Sequence, residues 1–192
     1  ICARFVQPMT KLSKSSLARN VWRYEEDERK AGKHEAEPFV AAATVFVSHA
    51  WKYDIATVVA TLREWVDGDD SPNDAEITCR FWFDNFVLNQ HAAAAGKYSS
   101  KFWFDGFSDA IKTVGHTLPI LMPWRCAIPL TRAWCVYEIA ETARVHAQRT
   151  FLLPQRERDD MLIALVEEFE TMAKVIAGVA LEDAEGGAED RK

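Results

Sequence analysis

The chain has 192 residues and a formal net charge of −6 at pH 7, with 48% hydrophobic and 27% charged residues. This composition supports a domain with a sizeable core and argues against wholesale disorder. The acidic balance, without clustered Lys and Arg, argues against a nucleic-acid-binding protein, whose binding surface is usually basic. No run reaches the ~20 apolar residues of a membrane helix, so we expect no membrane partner.

The cysteines indicate the cellular compartment. None of the four belongs to a CxxC pair or to a spacing typical of metal ligands. Cys79 and Cys135 lie inside apolar segments, so we expect reduced thiols in a cytoplasmic protein and no metal site. The chain begins with Ile1 rather than Met, and we therefore expect a piece of a longer protein that carries other domains.

The two ends of the chain differ from its middle in composition and residue pattern. Residues 1–38 are polar and mixed, and we predict an N-terminal extension or linker that contains a helix from Ser15 to Lys30. Residues 39–180 carry the strand and helix patterns of a domain. Residues 181–192 are strongly acidic and predict a disordered tail.

Within the domain, strand patterns alternate with helix patterns. Runs of β-branched and aromatic residues predict strands near 44–48, 78–84, 117–122 and 149–153. Apolar residues at helical spacing predict a helix capped by Asp54, a helix that ends at Gly115, a helix capped by Thr131, and one long or two short helices from Arg158 onward. Residues 87–100 are predicted to form a loop. The alternation predicts an α/β domain with a central parallel sheet of four to five strands and helices on both faces.

Polar and aromatic side chains follow the ends of the predicted strands. In open parallel sheets, ligands bind outside the carboxyl ends of the strands. Residues that this rule places at one rim include Ser48, His49, Trp51, Asp84, Trp124 and, on the helix after the third strand, Glu138. Such a rim suits a ligand with a flat ring and hydroxyl groups. Each residue also has a purely structural explanation, such as a hydrogen-bonded core His49, a turn-capping Asp84 or a solvated Glu138.

The order of the motifs carries a family resemblance. The first strand, TVFVSHAW, ends in a serine and aromatic residues, and the second, FWFDNFVLNQH, leads through an acidic residue into a long loop. The third, LPILMPW, ends near a proline. In TRAWCVYEI, Trp134, Cys135 and Glu138 have the Trp-Cys-x-x-Glu spacing, with Thr131 where a serine is common. From about Thr44 to Phe169 the chain resembles a Toll/interleukin receptor (TIR) domain, closest to the plant-type pattern.

The resemblance implies a flavodoxin-like fold and a function. Many TIR domains act as NAD hydrolases in signalling or innate immunity, and they cleave the nicotinamide–ribose bond with the glutamate that matches Glu138. NAD is then the substrate, and no other cofactor is expected. Candidates for substrate binding are the surrounding rim residues Ser48, His49, Trp51, Asp84, Trp124, Trp134 and Cys135. The family also assembles through the long loop, so we expect a homo-oligomer formed through residues 84–100.

Two other functions remain open at this point. TIR adaptors signal by association alone, and Thr44 and His49 depart from the family's first strand, which leaves a non-catalytic interaction module as one alternative. The other is a different N-glycosidase that acts on nucleosides or nucleotides, such as a deoxyribosyltransferase-like enzyme. Assays of nicotinamide release from NAD and of base release from deoxynucleosides separate these functions.

Overall fold

A computed structural model describes residues 2–33, 37–68 and 79–177. The predicted acidic tail, 181–192, lies outside the described residues. Strands and helices alternate through the domain as the sequence predicts. None of the helices within the described residues is long and apolar enough to span a membrane.

The strands form a parallel sheet, as predicted. Four short strands are present in the described residues: β1 (Val45–Ser48), β2 (Phe81–Trp82), β3 (His116–Pro119) and β4 (Gln148–Arg149). Their spatial order is β2-β1-β3-β4, and every neighbouring pair is parallel. This is the flavodoxin-like order, in which the chain reverses direction across the sheet between β1 and β3. A ligand site is therefore expected at the carboxyl end of β1.

Helices cover both faces of the sheet. After β1 comes α3 (Ile55–Asp67), and between β2 and β3 come α4 (Asp84–Val87), α5 (Gln90–Ala94) and α6 (Ser100–Val114). The helix α7 (Ala133–Arg144) connects β3 to β4, and α8 (Gln155–Glu167) and α9 (Phe169–Ala177) follow. One face of β1 packs its valines against Val58, Leu62 and Trp65 of α3. On the opposite face, Phe46 packs against Phe107 and Ile111 of α6.

Several predicted helix ends are confirmed. The Asp54 carboxylate accepts a hydrogen bond from the Thr57 amide and caps α3. Gly115 ends α6 with a φ of 76°, a left-handed conformation that a residue without Cβ adopts at little cost. The segment after β4 forms two helices, α8 and α9, which was one of the two predicted arrangements.

Three local predictions are wrong. Thr131 does not cap α7, because its hydroxyl donates to the Ile128 carbonyl within a 3-10 turn and the helix begins at Ala133. The second strand ends at Trp82 instead of continuing through Asp84, because Asp84 begins α4. The predicted loop 87–100 contains the short helix α5, which Asn89 caps by accepting bonds from two amides.

The N-terminal segment packs against the segment between β2 and α6. It contains a π-helical turn (Cys2–Val6), α1 (Gln7–Met9) and α2 (Leu17–Lys30). Side-chain hydrogen bonds join Gln7 to the Gln90 carbonyl at 3.2 Å, Thr10 to the His91 ring at 2.9 Å, and Asn89 to the Lys14 carbonyl at 2.7 Å. Residues 84–95 are therefore covered on one side by the first part of the chain.

Candidate active site

The Glu138 carboxyl group lies at the carboxyl end of β1. Ser48 is the last residue of β1 and pairs with Pro119 of β3, at the point where the chain order reverses. The helix α7 brings Glu138 to the same place, where its carboxyl group accepts a hydrogen bond from the Ser48 hydroxyl. Only 7% of Glu138 is exposed. Glu138 is therefore a buried carboxyl group, and the alternative of a solvated helix residue is wrong.

Threonines fix α7 against the sheet beneath this carboxyl group. The Thr142 hydroxyl donates to the Glu138 carbonyl at 2.7 Å and lies 2.9 Å from the hydroxyl of Thr117 in β3. Both threonines are fully buried. Because buried hydroxyls that satisfy one another resist displacement, these bonds fix the height of Glu138 above the sheet.

A second buried carboxyl group, that of Asp84, lies nearby. It accepts hydrogen bonds from the Trp51 indole N–H at 2.5 Å and from the Asn85 amide at 2.6 Å. The His49 Nε2 is 3.9 Å from Asp84 Oδ1 and 3.3 Å from Asn85 Nδ2, and the His49 ring stacks on Phe83. Burial lowers the pKa of His49 and raises the pKa of Asp84, although each charge partly offsets the shift of the other. His49 is therefore held as a neutral ring.

These groups border a cavity of about 330 Å³. Aromatic side chains form much of its wall, among them Trp103 and Phe107 of α6 and Trp134 of α7. The remaining lining residues are Val47, His49, Ala50, Trp51, Asp84, Arg132, Cys135 and Glu138. An apolar cavity with a few convergent polar groups is the usual form of a small-molecule site, and this volume is near the lower end of the roughly 300–1,000 Å³ range of such sites.

The protonation state of Glu138 follows from its burial. Loss of hydration raises its pKa to about 8, the Ser48 hydrogen bond opposes this shift, and the negative charge of Asp84 adds to it. In the empty pocket, Glu138 is therefore largely protonated near neutral pH. A positive charge placed beside it would favour the ionised form. The pocket is electrostatically suited to a cationic ligand.

The Cys135 thiol is a wall of the pocket and not a nucleophile. Burial and the neighbouring Glu138 raise its pKa to about 12, so the thiolate is scarce. Its Sγ lies 3.6 Å from the His49 carbonyl and donates a weak hydrogen bond to it. Cys135 thus ties the start of α7 to the loop after β1.

Most of the predicted site residues are brought together. Seven of the eight either line the cavity or bond to its floor: Ser48, His49, Trp51, Asp84, Trp134, Cys135 and Glu138. Trp124 is not among them. Its amide donates to Glu157 of α8 at 2.7 Å, and its ring lies under the Arg125 guanidinium. Because β3 ends at Pro119, Trp124 lies well beyond the sheet edge and turns towards α8.

Sequence reasoning did not identify five of the lining residues: Trp103, Phe107, Arg132, Val47 and Ala50. Trp103 and Phe107 are four residues apart and therefore share one face of α6, a spacing that is also typical of core packing. Arg132 lies two residues before the Trp-Cys pair, directly after the predicted cap Thr131, and no motif indicates it as a ligand-binding residue. The helical spacing was a usable signal for the first two, whereas the position of Arg132 required the structure.

A larger cavity lies elsewhere. Its volume is about 880 Å³, and apolar residues of α2, α3, β2 and α4 line it, among them Leu17, Val21, Val59, Phe81 and Phe86. It includes neither Glu138 nor Asp84. The larger of the two cavities is therefore not the one that contains the buried carboxyl groups. In the part of the chain that the structure describes, no group of three or more His, Cys, Asp and Glu side chains could hold a metal ion.

The chain was compared with protein-family models, curated proteins and solved structures. No family model, no curated protein and no solved structure matches the chain.

Proposed function

We propose that this domain cleaves the nicotinamide–ribose bond of NAD, with Glu138 as the catalytic residue. The observation that carries the proposal is the buried Glu138 carboxyl group, bonded to Ser48, in an aromatic-walled pocket at the carboxyl end of β1. The TIR resemblance of the Trp134–Glu138 motif supports the same assignment. The aromatic walls suit a flat pyridinium ring, which a π face also attracts as a cation.

The chemistry requires one carboxylate and no acid. When the glycosidic bond breaks, its electron pair goes to the ring nitrogen, so that the pyridinium becomes neutral nicotinamide and leaves without protonation. The ribose becomes an oxocarbenium-like cation, which the ionised Glu138 stabilises through its charge. Water then adds to C1′ and loses a proton, which gives ADP-ribose. An internal nucleophile in place of water would give a cyclised product.

The raised pKa of Glu138 is compatible with this role. The substrate carries its own positive charge into the pocket, and that charge favours ionisation of the buried carboxyl group. Binding of NAD near neutral pH therefore releases a proton from Glu138. Ser48 acts as a positioning residue, because its hydroxyl contacts the carboxyl group and not the reacting atoms.

A signalling or defence role, in the cytoplasm and within a longer protein, belongs to the same proposal. In it, copies of the domain assemble through residues 84–100. These residues adjoin the pocket, because Asp84 and Trp51 are hydrogen-bonded to each other. Assembly would therefore act close to the substrate. The N-terminal segment already contacts part of this surface through Gln7, Thr10 and Lys14.

One observation favours a second candidate, a nucleoside N-glycosidase. A neutral base is a poor leaving group, and a protonated carboxyl group can donate a proton to it. Glu138, with a pKa of about 8, is such an acid near neutral pH. The two candidates predict opposite pH dependences, because NAD cleavage needs ionised Glu138 and base release needs protonated Glu138.

The experiment measures nicotinamide release from NAD and base release from deoxynucleosides, at high protein concentration, between about pH 6 and pH 9. Nicotinamide release that increases with pH supports the proposal. Base release that decreases with pH supports the N-glycosidase. If neither product forms in the assembled protein, the domain is a non-catalytic interaction module.

A further inference from the structure

We infer that Arg132 binds the phosphate group attached to the ribose of the substrate, and that it makes the site selective for a nucleotide over the corresponding nucleoside. This inference rests on the proposed function and names its substrate class more closely. It concerns the rim of the pocket, whereas the proposed chemistry concerns the floor.

The exposure of the lining residues separates floor from rim. Glu138, Asp84 and His49 are each 7% exposed and lie deep in the cavity. Among the lining residues that the structure describes, Trp51 and Arg132 are the two that are exposed to solvent. Arg132 therefore lies on the solvent-facing side of the cavity, where a part of a ligand that extends out of the cavity can reach it.

The volume of the cavity decides which part of a substrate lies at this rim. About 330 Å³ suits a fragment the size of a nucleoside and not a whole dinucleotide. If the glycosidic bond lies against Glu138, the ring and ribose fill the cavity. The 5′ substituent of that ribose, a phosphate, then leaves through the rim.

Among the residues that the structure describes, Arg132 is the one permanently charged cation that lines this cavity. Its guanidinium makes no ion pair or side-chain hydrogen bond with any residue that the structure describes. Other arginines are engaged: Arg144 bonds to Glu141 and Arg125 pairs with Glu168. A guanidinium presents a planar set of donors that matches phosphate oxygens. The unpaired guanidinium therefore supplies the charge that a phosphate requires.

The carboxyl groups that line the pocket strengthen the case that Arg132 binds a phosphate. With Asp84 and Glu138 on the floor, an anionic substrate would be repelled if both were ionised and no cation lay at the entrance. Arg132 at the rim and a cationic ring at the floor together match the charge pattern of a pyridinium nucleotide, which is positive at the ring and negative at the phosphate.

The test compares two substrates that differ only in the 5′-phosphate, nicotinamide mononucleotide and nicotinamide riboside. Both carry the same ring and the same bond to be cleaved. The wild type should have a kcat/KM at least tenfold higher for the mononucleotide. Arg132→Gln should lower this value about tenfold, mainly through KM, and leave the value for the riboside unchanged, since hydrogen bonds between charged groups contribute tenfold or more to affinity. Arg132→Lys should retain part of the preference.

The control is Arg156→Gln. Arg156 is an exposed residue of α8 outside the pocket, and the substitution changes the net charge equally. It should change neither substrate's kinetics. The inference is overturned if Arg132→Gln affects both substrates equally or affects neither, or if the wild type does not prefer the mononucleotide.

Binding of ribose 5-phosphate and of ribose, followed by intrinsic tryptophan fluorescence, to which Trp51 and Trp134 of the pocket contribute, distinguishes failure of this inference from failure of the proposed reaction. The wild type could cleave neither substrate and still bind ribose 5-phosphate. If Arg132→Gln then loses this binding, the phosphate site is supported and the proposed NAD cleavage is not. A wild type that binds both sugars equally, or neither, contradicts the phosphate site.

Discussion

The hydroxyl of Ser48 donates a hydrogen bond to the carboxyl group of Glu138, although 90 residues separate the two along the chain. The bond joins the last residue of β1 to the middle of α7, across the point where the chain order reverses. It also opposes the upward shift in the pKa of Glu138. Ser48 therefore influences both the orientation and the ionisation of the carboxyl group that we propose to be catalytic.

Ser48→Ala should lower kcat for NAD cleavage about tenfold with little change in KM, since a lost hydrogen bond to a charged group costs roughly 1.5–3 kcal/mol. It should also raise the pKa of Glu138 further and displace the pH–rate profile to higher pH. Ser108→Ala is the control, because Ser108 donates in the same way to Glu141, outside the pocket. A profile that stays in place after Ser48→Ala would show that this bond does not act on the catalytic group.

The pH dependence of the wild type reports the ionisation of Glu138 directly. The pKa of about 8 means that kcat/KM for NAD should increase with pH and level off above about pH 8, because kcat/KM reports ionisation of the free enzyme. At saturating NAD, kcat should level off at lower pH, since the bound pyridinium favours the carboxylate. Steady-state rates measured across this pH range test whether ionisation of Glu138 controls the reaction. A kcat/KM that is constant from about pH 6 to pH 9 would contradict this control.

The same carboxyl group should make the fold less stable as pH increases. An unfolded glutamate ionises near pH 4.5, whereas folded Glu138 holds its proton to about pH 8, so the folded state binds the extra proton between these values. The contribution of Glu138 to stability therefore falls across this window and is constant above it. Glu138→Gln removes this loss and should raise the free energy of unfolding at pH 8 by a few kcal/mol, on the order of the shift.

Denaturant titrations of both proteins at about pH 5 and pH 8 measure this difference. The gap between variant and wild type should be small at the lower pH and wide at the higher. A variant that is less stable than wild type at pH 8 would show that Glu138 contributes favourably to folding as an ionised group.

The contact between the N-terminal segment and residues 84–95 makes a separate prediction. Asn89 caps α5 and also donates to the Lys14 carbonyl. Asn89→Ala loses both and should destabilise the protein by about 1–2 kcal/mol. Amide exchange should accelerate in residues 84–95 and in residues 2–33 together, because the bond joins them.

Ser99→Ala is the matched control for that variant. Ser99 caps α6 by accepting a hydrogen bond from the Phe102 amide and, within the described part of the chain, forms no hydrogen bond with the N-terminal segment. Exchange should accelerate only near the start of α6. If Asn89→Ala leaves exchange in residues 2–33 unchanged, the N-terminal segment does not stabilise this surface.

Local patterns predicted the parts of this fold that local chemistry decides. The valines and Phe46 of β1, the Asp54 cap and the Gly115 stop depend on neighbours within one turn or one strand, so the sequence contained their signals. The gathering of Ser48, Asp84 and Glu138 followed from the rule that parallel strands end at one edge of a sheet. That rule needs only the order of the elements.

Errors arose where a distant partner decides the outcome. Trp124 follows a strand, but its amide bonds to Glu157 of α8, which no local pattern reveals. The short helix α5 is an exception, because its signals are local: Asn89 is a favoured N-cap residue and the alanines that follow it have the highest helix propensity. The position of Arg132 at the rim depends on the 3-10 turn before α7, which displaced the expected cap.

The most direct test of the account is nicotinamide release from NAD by Glu138→Gln, at matched concentration of folded protein. Its control is Glu141→Gln, on the same helix. Glu141 is also buried and also accepts a bond from a serine hydroxyl, but it lies outside the pocket, and its bond to Arg144 lowers its pKa to about 2. The control variant therefore loses a buried carboxyl group and some stability, but it retains the Glu138 carboxyl group in the pocket. We expect Glu138→Gln to lose about a hundredfold or more in rate while Glu141→Gln retains the wild-type rate per folded molecule. Equal rates in Glu138→Gln and wild type would contradict the assignment of Glu138 as the catalytic carboxylate.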